Sequence, residues 1–390
     1  MNLENLSILG FFLLVTLLLY LDRKNVEFKY GLVIRKTKKG LKLIDETAKK
    51  RKDMLKKVGT VAVIIGFMVS VYGVYLLAKS AISVLLKPRE ASPVVKLVFP
   101  QPSGVNFPSF IQGVPFWYWL IAIFVVVSVH EPMHALFARV EGVKVKDLGI
   151  FLLGPIPLGA FANPDEKDLK RISWMGKLRV YVAGSFGNFL VGLIVLTLFL
   201  LFSFSLDKLL IPSGVGFETT INGTPADSVK LRGIIEQING TNIRSLSDLH
   251  NVLVNTTPDS VLIIKTTEGV FSLKTVPHPE NATVSFIGIK NPHTVFVWSF
   301  SKAPVSKLVL SSMVWLLSLL NWLFTINIGV GIANLFPVKP LDGGLMLEEI
   351  IKRFWGEKNS KIVVNMISWF VLSLLLVNLF GPSLLGMFSR

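Results

Sequence analysis

Six apolar segments constrain the fold of this chain more than any other feature. Each is about as long as the roughly 20 residues that an α-helix needs to cross a bilayer. Because 51% of the 390 residues are apolar, the chain has more long apolar runs than one soluble domain buries. The sequence therefore predicts a polytopic α-helical membrane protein with about six transmembrane helices. The predicted spans are residues 5–21, 59–86, 114–138, 178–204, 306–336 and 362–387.

A basic segment between the first two spans predicts the orientation. Residues 23–57 contain 14 Lys or Arg and four Asp or Glu. A basic block between two apolar segments is typical of a cytoplasmic loop. Alternation then places the N-terminus, residues 88–113, residues 207–300 and the C-terminus outside the cytoplasm. An anionic-lipid contact remains open for the basic segment, whereas a nucleic-acid partner is not expected. The first span lacks a preceding basic region and a small-residue cleavage site, so we expect an uncleaved span.

The apolar stretch Leu148–Ala162 is too short and too rich in Gly and Pro for a spanning helix. Non-helical backbone at membrane depth needs a cover of protein or a cavity, which favours a re-entrant, strand-like element. A short interfacial loop is the alternative. An extended substrate segment could pair with such an element by strand addition.

Two polar motifs lie beside apolar runs and together predict a metal site: residues 130–134 and residues 334–343, which include Asp342. In His130-Glu131-Pro132-Met133-His134, the two histidines are four residues apart and share one face of a helix. Glu131 lies near enough to act as a general base toward a water molecule. A catalytic zinc needs a third protein ligand, and Asp342, followed by two glycines, is the best candidate.

Simpler explanations exist for each part of this prediction. An HExxH pentapeptide has many chance matches, and a hydrogen-bonded network without metal would also bury these residues. Asp342 alone could be a helix cap. The chain has no cysteine, so any metal must be held by imidazole and carboxylate, which suits one zinc ion per chain.

Over roughly residues 115–345 these motifs resemble the site-2 protease family of intramembrane zinc metalloproteases. The resemblance implies two histidine ligands, an Asp ligand and a Glu base, and it implies that the Asn334 amide holds the substrate backbone or the oxyanion. It also implies an intramembrane endopeptidase that cleaves within or near transmembrane segments of membrane proteins. Weaker matches place the following residues beside the site: Gly159, Ala160, Phe161 and Asn188.

Pro132 departs from what the chemistry requires. It removes a backbone donor and disfavours α geometry at Glu131, so the sequence predicts a kink in the third span. A degenerate homologue without catalysis is the corresponding alternative.

Residues 211–292 alternate between apolar and hydroxyl side chains and predict a small β-rich extracytoplasmic domain. The turn at Asn239-Gly240 and a predicted helix at 246–254 resemble a PDZ domain. This resemblance implies binding of a peptide or a chain terminus by strand addition. A folded spacer without a ligand groove is the alternative.

The predicted organisation has four parts. Two spans and the basic loop form residues 1–113, the first half of a catalytic core forms 114–206, the PDZ-like domain forms 211–292, and the second half of the core forms 300–390. Expected partners are transmembrane protein substrates and the lipid bilayer. A catalytically silent PDZ-bearing scaffold is the second hypothesis, and metal content separates it from the enzyme. A transporter with a midplane cation site is a third.

Overall fold

The computed structural model describes residues 3–29, 31–87, 91–101 and 105–388. Within the predicted extracytoplasmic segment 88–113, residues 88–90 and 102–104 lie outside the described part. The chain divides into two compact units. Unit 1 comprises Met1–Thr197 and Ser318–Arg390, and unit 2 comprises Leu198–Leu317.

Six helices in the described chain are long and apolar enough to cross a membrane: α1, α3, α4, α6, α9 and α10 of the following set. The prediction of six apolar helices is thereby confirmed. The helices are α1 (Leu3–Leu21), α2 (Leu41–Lys50), α3 (Lys52–Leu86), α4 (Phe116–Val140), α5 (Glu166–Arg171), α6 (Trp174–Leu209), α7 (Pro225–Ser228), α8 (Leu246–Val254), α9 (Lys307–Asn334) and α10 (Asp342–Phe388).

Helix α10 begins 20 residues before the predicted sixth span, because the charged segment predicted as a loop is helical from Asp342. This segment is rich in Leu, Met, Glu and Lys, which are good helix formers, so its charge did not exclude a helix. Gly356 interrupts the regular helix with φ 79° and ψ 171°. Only glycine adopts such a conformation without strain.

The strands form five sheets in the described chain. They are β1 (Val26–Lys29), β2 (Leu32–Thr37), β3 (Leu97–Gln101), β4 (Ile111–Pro115), β5 (Val145–Leu153), β6 (Ile156–Pro164), β7 (Leu210–Gly216), β8 (Thr219–Thr220), β9 (Ile235–Ile238), β10 (Thr241–Asn242), β11 (Val261–Thr266), β12 (Gly269–Lys274), β13 (Val276–His278), β14 (Asn281–Phe286), β15 (Ile289–Lys290) and β16 (His293–Trp298).

The apolar stretch Leu148–Ala162 forms most of an antiparallel hairpin of β5 and β6, which turns at Gly154 with φ +58°. It is therefore strand-like, as predicted, and not an irregular interfacial loop. The basic segment 23–57, predicted as a loop, also differs from expectation because it contains β1, β2 and α2. Strand β2 pairs with β5, which gives a four-stranded sheet in the order β1-β2-β5-β6. Strand β2 pairs with β1 on one edge and, on its other edge, with β5, a partner more than 100 residues away that the local sequence does not show.

Small residues on α3 allow unit 1 to pack closely. Gly59, Gly66 and Gly73 recur every seventh residue and are buried. A Cβ atom at Gly66 would lie 2.7 Å from a Val182 methyl group of α6, and one at Gly73 would lie 2.8 Å from the Phe336 ring. Such spacing lets helix backbones approach each other, which is how apolar helices associate where the hydrophobic effect is weak.

Unit 2 is built around a sheet in the order β12-β11-β9-β7-β16, with β10 paired to β9. Burial alternates along β11, so every second side chain enters the core. Helix α8 has the bounds expected from the sequence. It begins with a capping box, in which the Ser245 hydroxyl accepts the Asp248 N–H and the Asp248 carboxylate accepts the Ser245 N–H.

This capping box generates a prediction for Ser245→Ala. Loss of the cap should destabilise α8 by about 1 kcal/mol because a helical N–H loses its acceptor. We expect faster hydrogen exchange of the α8 amides in the full chain in detergent micelles. Ser247→Ala, at an exposed position of the same helix, is the control and should change little. Equal exchange in both variants would contradict the role of the cap.

The same box should depend on pH. Hydrogen bonds from the Arg244 N–H and from Ser245 lower the pKa of Asp248 from its usual value of 3.8. A lowered pKa in the folded state stabilises the protein above the unfolded pKa, and this contribution disappears as the pH falls through the folded value. Protection of the α8 amides from hydrogen exchange should therefore decrease as the pH falls below about 4. Asp248→Asn should abolish this pH dependence.

Candidate metal centre

Three ionisable side chains converge inside unit 1. The Nε2 atoms of His130 and His134 are 3.2 Å apart. The Oδ2 atom of Asp342 lies 3.4 Å from His130 Nε2 and 3.5 Å from His134 Nε2. All three side chains are at least four-fifths buried, with 11%, 16% and 14% of their surfaces exposed for His130, His134 and Asp342. The structure thus brings together the three ligands that the sequence predicted.

Helix α4 places the two histidines. It runs unbroken from Phe116 to Val140, so residues 130 and 134 stand one turn apart on one face. The helix continues through Pro132 without a break. Local geometry at Pro132 therefore leaves both imidazoles directed toward the same point.

A tight turn between α9 and α10 places Asp342 as the first residue of α10. The turn contains Pro337 and a cis peptide bond between Lys339 and Pro340. The backbone folds back so closely that a Cβ atom at Gly343 would collide with the carbonyl groups of residues 335 and 336. Glycine is therefore required after Asp342 by close backbone approach.

Helix α6 supplies a partner for each of the three side chains. The His134 Nδ1 atom lies 2.7 Å from the Val180 carbonyl oxygen. As that oxygen can only accept, Nδ1 carries the proton and Nε2 is left with its lone pair. The Ser185 hydroxyl donates to Asp342 Oδ2 at 3.5 Å. The Asn188 amide lies 3.1 Å from His130 Nδ1.

Two of these partners were missed by sequence reasoning. Val180 acts through its backbone, which leaves no trace in the sequence. Ser185 falls within the small-residue segment 183–188, but its hydroxyl gave no indication of the distant carboxylate that it meets. Asn188 was predicted to lie beside the metal site, and the structure places it against His130.

The geometry and chemistry of this donor set fit zinc. A tetrahedral zinc ion with bonds of about 2.0 to 2.1 Å holds its ligand atoms roughly 3.3 to 3.4 Å apart, which matches the 3.2 to 3.5 Å observed. A Cβ atom at Gly184 would lie 2.5 Å from His130 Nε2 and would also collide with His134 Nε2. The space in front of the donor atoms therefore exists only because residue 184 is glycine.

Asn188 also fits a metal-bound histidine. Its Oδ1 atom is buried and has no hydrogen-bond partner among the described residues. A histidine that binds metal through Nε2 carries its proton on Nδ1 and donates it to a neighbouring acceptor. The Asn188 oxygen can be that acceptor when the amide turns it toward the ring, since amide oxygen and nitrogen exchange places by rotation.

Glu131 is held at the edge of the β5–β6 hairpin. Its Oε2 atom accepts a hydrogen bond from the Ala162 N–H at 2.7 Å. The carboxylate lines a cavity of about 700 Å³ between α1, α4 and the hairpin. Gly159, Ala160 and Phe161, which the sequence placed beside the site, line the same cavity.

Asn334, predicted to hold the substrate backbone or the oxyanion, is the last residue of α9. It is partly exposed and forms no hydrogen bond with the three ligands. It precedes the turn that leads to Asp342, and its contact with a substrate stays a prediction.

Two ion pairs stabilise the position of α10, the helix that carries Asp342. The Lys177 ammonium group of α6 lies 3.1 Å from Glu349, and the Lys339 ammonium group lies 2.6 Å from Glu348. In the Lys177–Glu349 pair the side chains are 12% and 15% exposed, so loss of one partner would leave a largely buried charge. The first turns of α10 are therefore fixed relative to α6, which supports all three ligands.

Comparisons with known proteins agree with this site. A protein of Methanocaldococcus jannaschii that is itself uncharacterised is 27% identical over 341 residues, which cover 85% of this chain and 81% of that protein. A candidate zinc metalloprotease of Bartonella henselae is 44% identical over 64 residues, 16% of this chain and 17% of that protein. The sequence model of peptidase family M50 matches residues 118–378, well over half of the chain. The chain therefore belongs to peptidase family M50, the site-2 protease family of metalloproteases.

Proposed function

We propose that this protein is an intramembrane zinc metalloendopeptidase that hydrolyses peptide bonds within or near transmembrane segments of membrane proteins. The observation that carries the proposal is the convergence of His130, His134 and Asp342 next to a carboxylate, Glu131, that faces a cavity. A scaffold without catalysis would not need three buried donor atoms at the ligand spacing of zinc.

In the proposed mechanism the two histidines and Asp342 hold one zinc ion. When bound, zinc supplies a Lewis acid that polarises the scissile carbonyl and lowers the pKa of water toward neutrality. Glu131 accepts the proton of the attacking water and later gives it to the leaving amine. The Ala162 N–H keeps the Glu131 carboxylate at the cavity wall between these two steps. Asn334 is proposed to hold the substrate backbone or the developing oxyanion, on the strength of the family resemblance alone.

Strand β6 offers an edge to which an extended substrate can bind. It is the last strand of its sheet in the described chain, and its Ala162 N–H points away from β5 toward Glu131. Since the backbone groups of a strand alternate between its two edges, Ala160 also presents its N–H and C=O outward. An unwound substrate segment would satisfy its own backbone groups on this edge, next to the proposed base.

Unit 2 is proposed to be a PDZ-like extracytoplasmic domain that binds a peptide or chain terminus. A cavity of about 690 Å³ lies between α8 and β14. Leu246, Leu249 and Leu253 of α8 line one side, which is the kind of groove that accepts an added strand. In this proposal residues 211–292 filter or recognise substrates during regulated intramembrane proteolysis.

The orientation follows from charge. The basic segment 23–57 is proposed to face the cytoplasm, and the N-terminus the other side. The four-part division into 1–113, 114–206, 211–292 and 300–390 is proposed to separate the N-terminal spans, the two halves of the catalytic core and the PDZ-like domain. The bilayer and transmembrane protein substrates are the proposed partners.

The first test is Glu131→Gln. It should lower cleavage of single-span substrates in lipid vesicles by about 10²- to 10⁴-fold, because the general base is lost. Bound zinc, measured by elemental analysis, should stay near one per chain. His134→Ala and Asp342→Ala should lose both zinc and cleavage, whereas His293→Ala, at an exposed position of unit 2 outside the α8–β14 cavity, is the control and should retain both. Cleavage that survives in Glu131→Gln would overturn the mechanism.

A second test uses two glycines of α6. Gly184→Ala places a methyl group against both histidine Nε2 atoms, so we expect loss of zinc binding. Gly187→Ala is the matched control because its methyl group would meet Met133 Cγ at 2.7 Å and a Val129 methyl group at 3.0 Å, and none of the three metal-ligand candidates. Gly187→Ala should at most lower the stability of the folded protein, and it should still bind zinc. If Gly184→Ala still binds one zinc ion per chain, the ion must bind at a different site.

A third test addresses strand addition. Ala160→Pro removes the outward N–H of β6 and should raise KM about 2- to 12-fold, the range expected for one net hydrogen bond. Ala160→Val keeps the N–H and suits a strand, so it should leave KM nearly unchanged. An equal effect of both substitutions would indicate that the side chain, and not the edge of β6, contacts the substrate.

A further inference from the structure

Pro132 leaves one carbonyl group of α4 without its helical donor. In an α-helix the N–H of residue i bonds the carbonyl oxygen of residue i−4, and proline has no N–H. For Pro132 the affected oxygen is that of Ser128. Helix α4 continues through Pro132, so the neighbouring residues keep the helical arrangement while this single acceptor remains available.

The available carbonyl belongs to a residue at the proposed substrate cavity. Ser128 is exposed, and both Ser128 and Pro132 line the cavity of about 700 Å³ that also contains Glu131. Residues at i, i+3 and i+4 share one face of a helix, so Ser128, Glu131 and Pro132 form one wall. The opposite wall includes Gly159 and Ala160 of β6.

An extended peptide in this cavity has two edges to satisfy. One edge can pair with the outward groups of β6 at Ala160. The other edge faces α4, where the backbone carbonyl groups of a helix already accept helical hydrogen bonds. In an apolar surrounding an unmet N–H of the substrate is costly, and the cavity wall is predominantly apolar.

We propose that the Ser128 carbonyl oxygen is a second backbone acceptor for the extended substrate, and that Pro132 is the positioning residue that keeps this oxygen free. This proposal depends on the proposed function. The substrate would be held between β6 on one side and α4 on the other. Ser128 precedes Glu131 by three residues, which corresponds to about 4.5 Å along the helix. The bonded N–H would therefore lie within a residue or two of the scissile bond.

The same geometry explains why a proline is tolerated inside the metal-binding motif. A proline in a spanning helix needs another donor for the freed carbonyl, from a neighbouring helix, a side chain, water or a ligand. Here the substrate is that donor. If Pro132 served only to shape the helix, the freed Ser128 carbonyl group would not need to lie at the substrate cavity.

The experiment combines protein and substrate changes. The substrate is a synthetic peptide of about 20 apolar residues with lysines at both ends, taken as the best-cleaved member of a single-span panel in lipid vesicles. Each amide near the cleavage site is replaced in turn by an ester, which removes one N–H and keeps the shape. With the wild-type enzyme, esters that remove an N–H bonded to either wall should lower kcat/KM about 2- to 12-fold.

Pro132→Ala restores the helical N–H and lets it bond the Ser128 oxygen. We expect KM for the all-amide peptide to rise about 2- to 12-fold, with kcat within about twofold and zinc still at one per chain. For this variant one of the wild-type ester effects should vanish, because its acceptor is already occupied. The ester effects that report on β6 should persist.

Ser128→Ala is the matched control, since it removes the hydroxyl group and keeps the carbonyl. It should keep the one ester effect that Pro132→Ala removes, because that effect reports on the carbonyl oxygen and not on the hydroxyl group. Pro132→Leu restores the same N–H with a larger side chain and should reproduce the Pro132→Ala pattern if that variant expresses poorly.

Two outcomes would overturn the inference while leaving the proposed function intact: an ester profile identical in wild type and Pro132→Ala, or an ester effect that disappears in Ser128→Ala. The first would make Pro132 a matter of helix shape, and the second would assign the acceptor to the Ser128 hydroxyl. Absence of any zinc-dependent cleavage by the wild-type enzyme would instead overturn the proposed function, and this inference with it.

Discussion

The structure of unit 1 depends on giving partners to three ionisable side chains buried among apolar helices. His130, His134 and Asp342 come from α4 and α10, but the groups that orient them come from α6. Burial of charge inside a membrane protein is expensive unless each polar atom is satisfied. Helix α6 meets this requirement with one backbone carbonyl, one hydroxyl group and one amide. It also provides, at Gly184, the space in front of the donor atoms.

The β5–β6 hairpin connects this centre to a surface on which a substrate can lie. It holds Glu131 through a backbone hydrogen bond from the Ala162 N–H. Because a backbone donor does not depend on side-chain identity, the position of Glu131 is set by the register of β6 against β5. Strands β1 and β2 extend the same sheet, so the basic segment after α1 contributes to the rigidity of the hairpin.

Metal binding and substrate binding therefore use different kinds of structure. The ligands stand on helices and are fixed by side-chain and helix-packing contacts, including the Lys177–Glu349 ion pair. The substrate is proposed to be held by backbone groups, from β6 on one wall and from Ser128 on the other. Backbone recognition suits the proposed substrates, because apolar transmembrane segments offer few polar side chains to recognise.

The sequence by itself determined the six apolar helices, the i and i+4 spacing of His130 and His134, and the pairing of this motif with Asp342. Apolar length and helical periodicity are local properties, and a costly polar motif beside an apolar run is visible without a structure. The strand-like nature of the stretch Leu148–Ala162 was also predictable, since Gly and Pro exclude a spanning helix there.

Only the tertiary structure decided what depends on distant partners. Strand β2 joins β5, a partner more than 100 residues away, and α10 begins at Asp342 although its charges favoured a loop. The Val180 carbonyl and the Ala162 N–H are backbone groups, which carry no sequence signal at all. Local patterns predict the apolar helices and the reactive side chains that they carry. Tertiary packing decides which backbone groups lie beside those side chains.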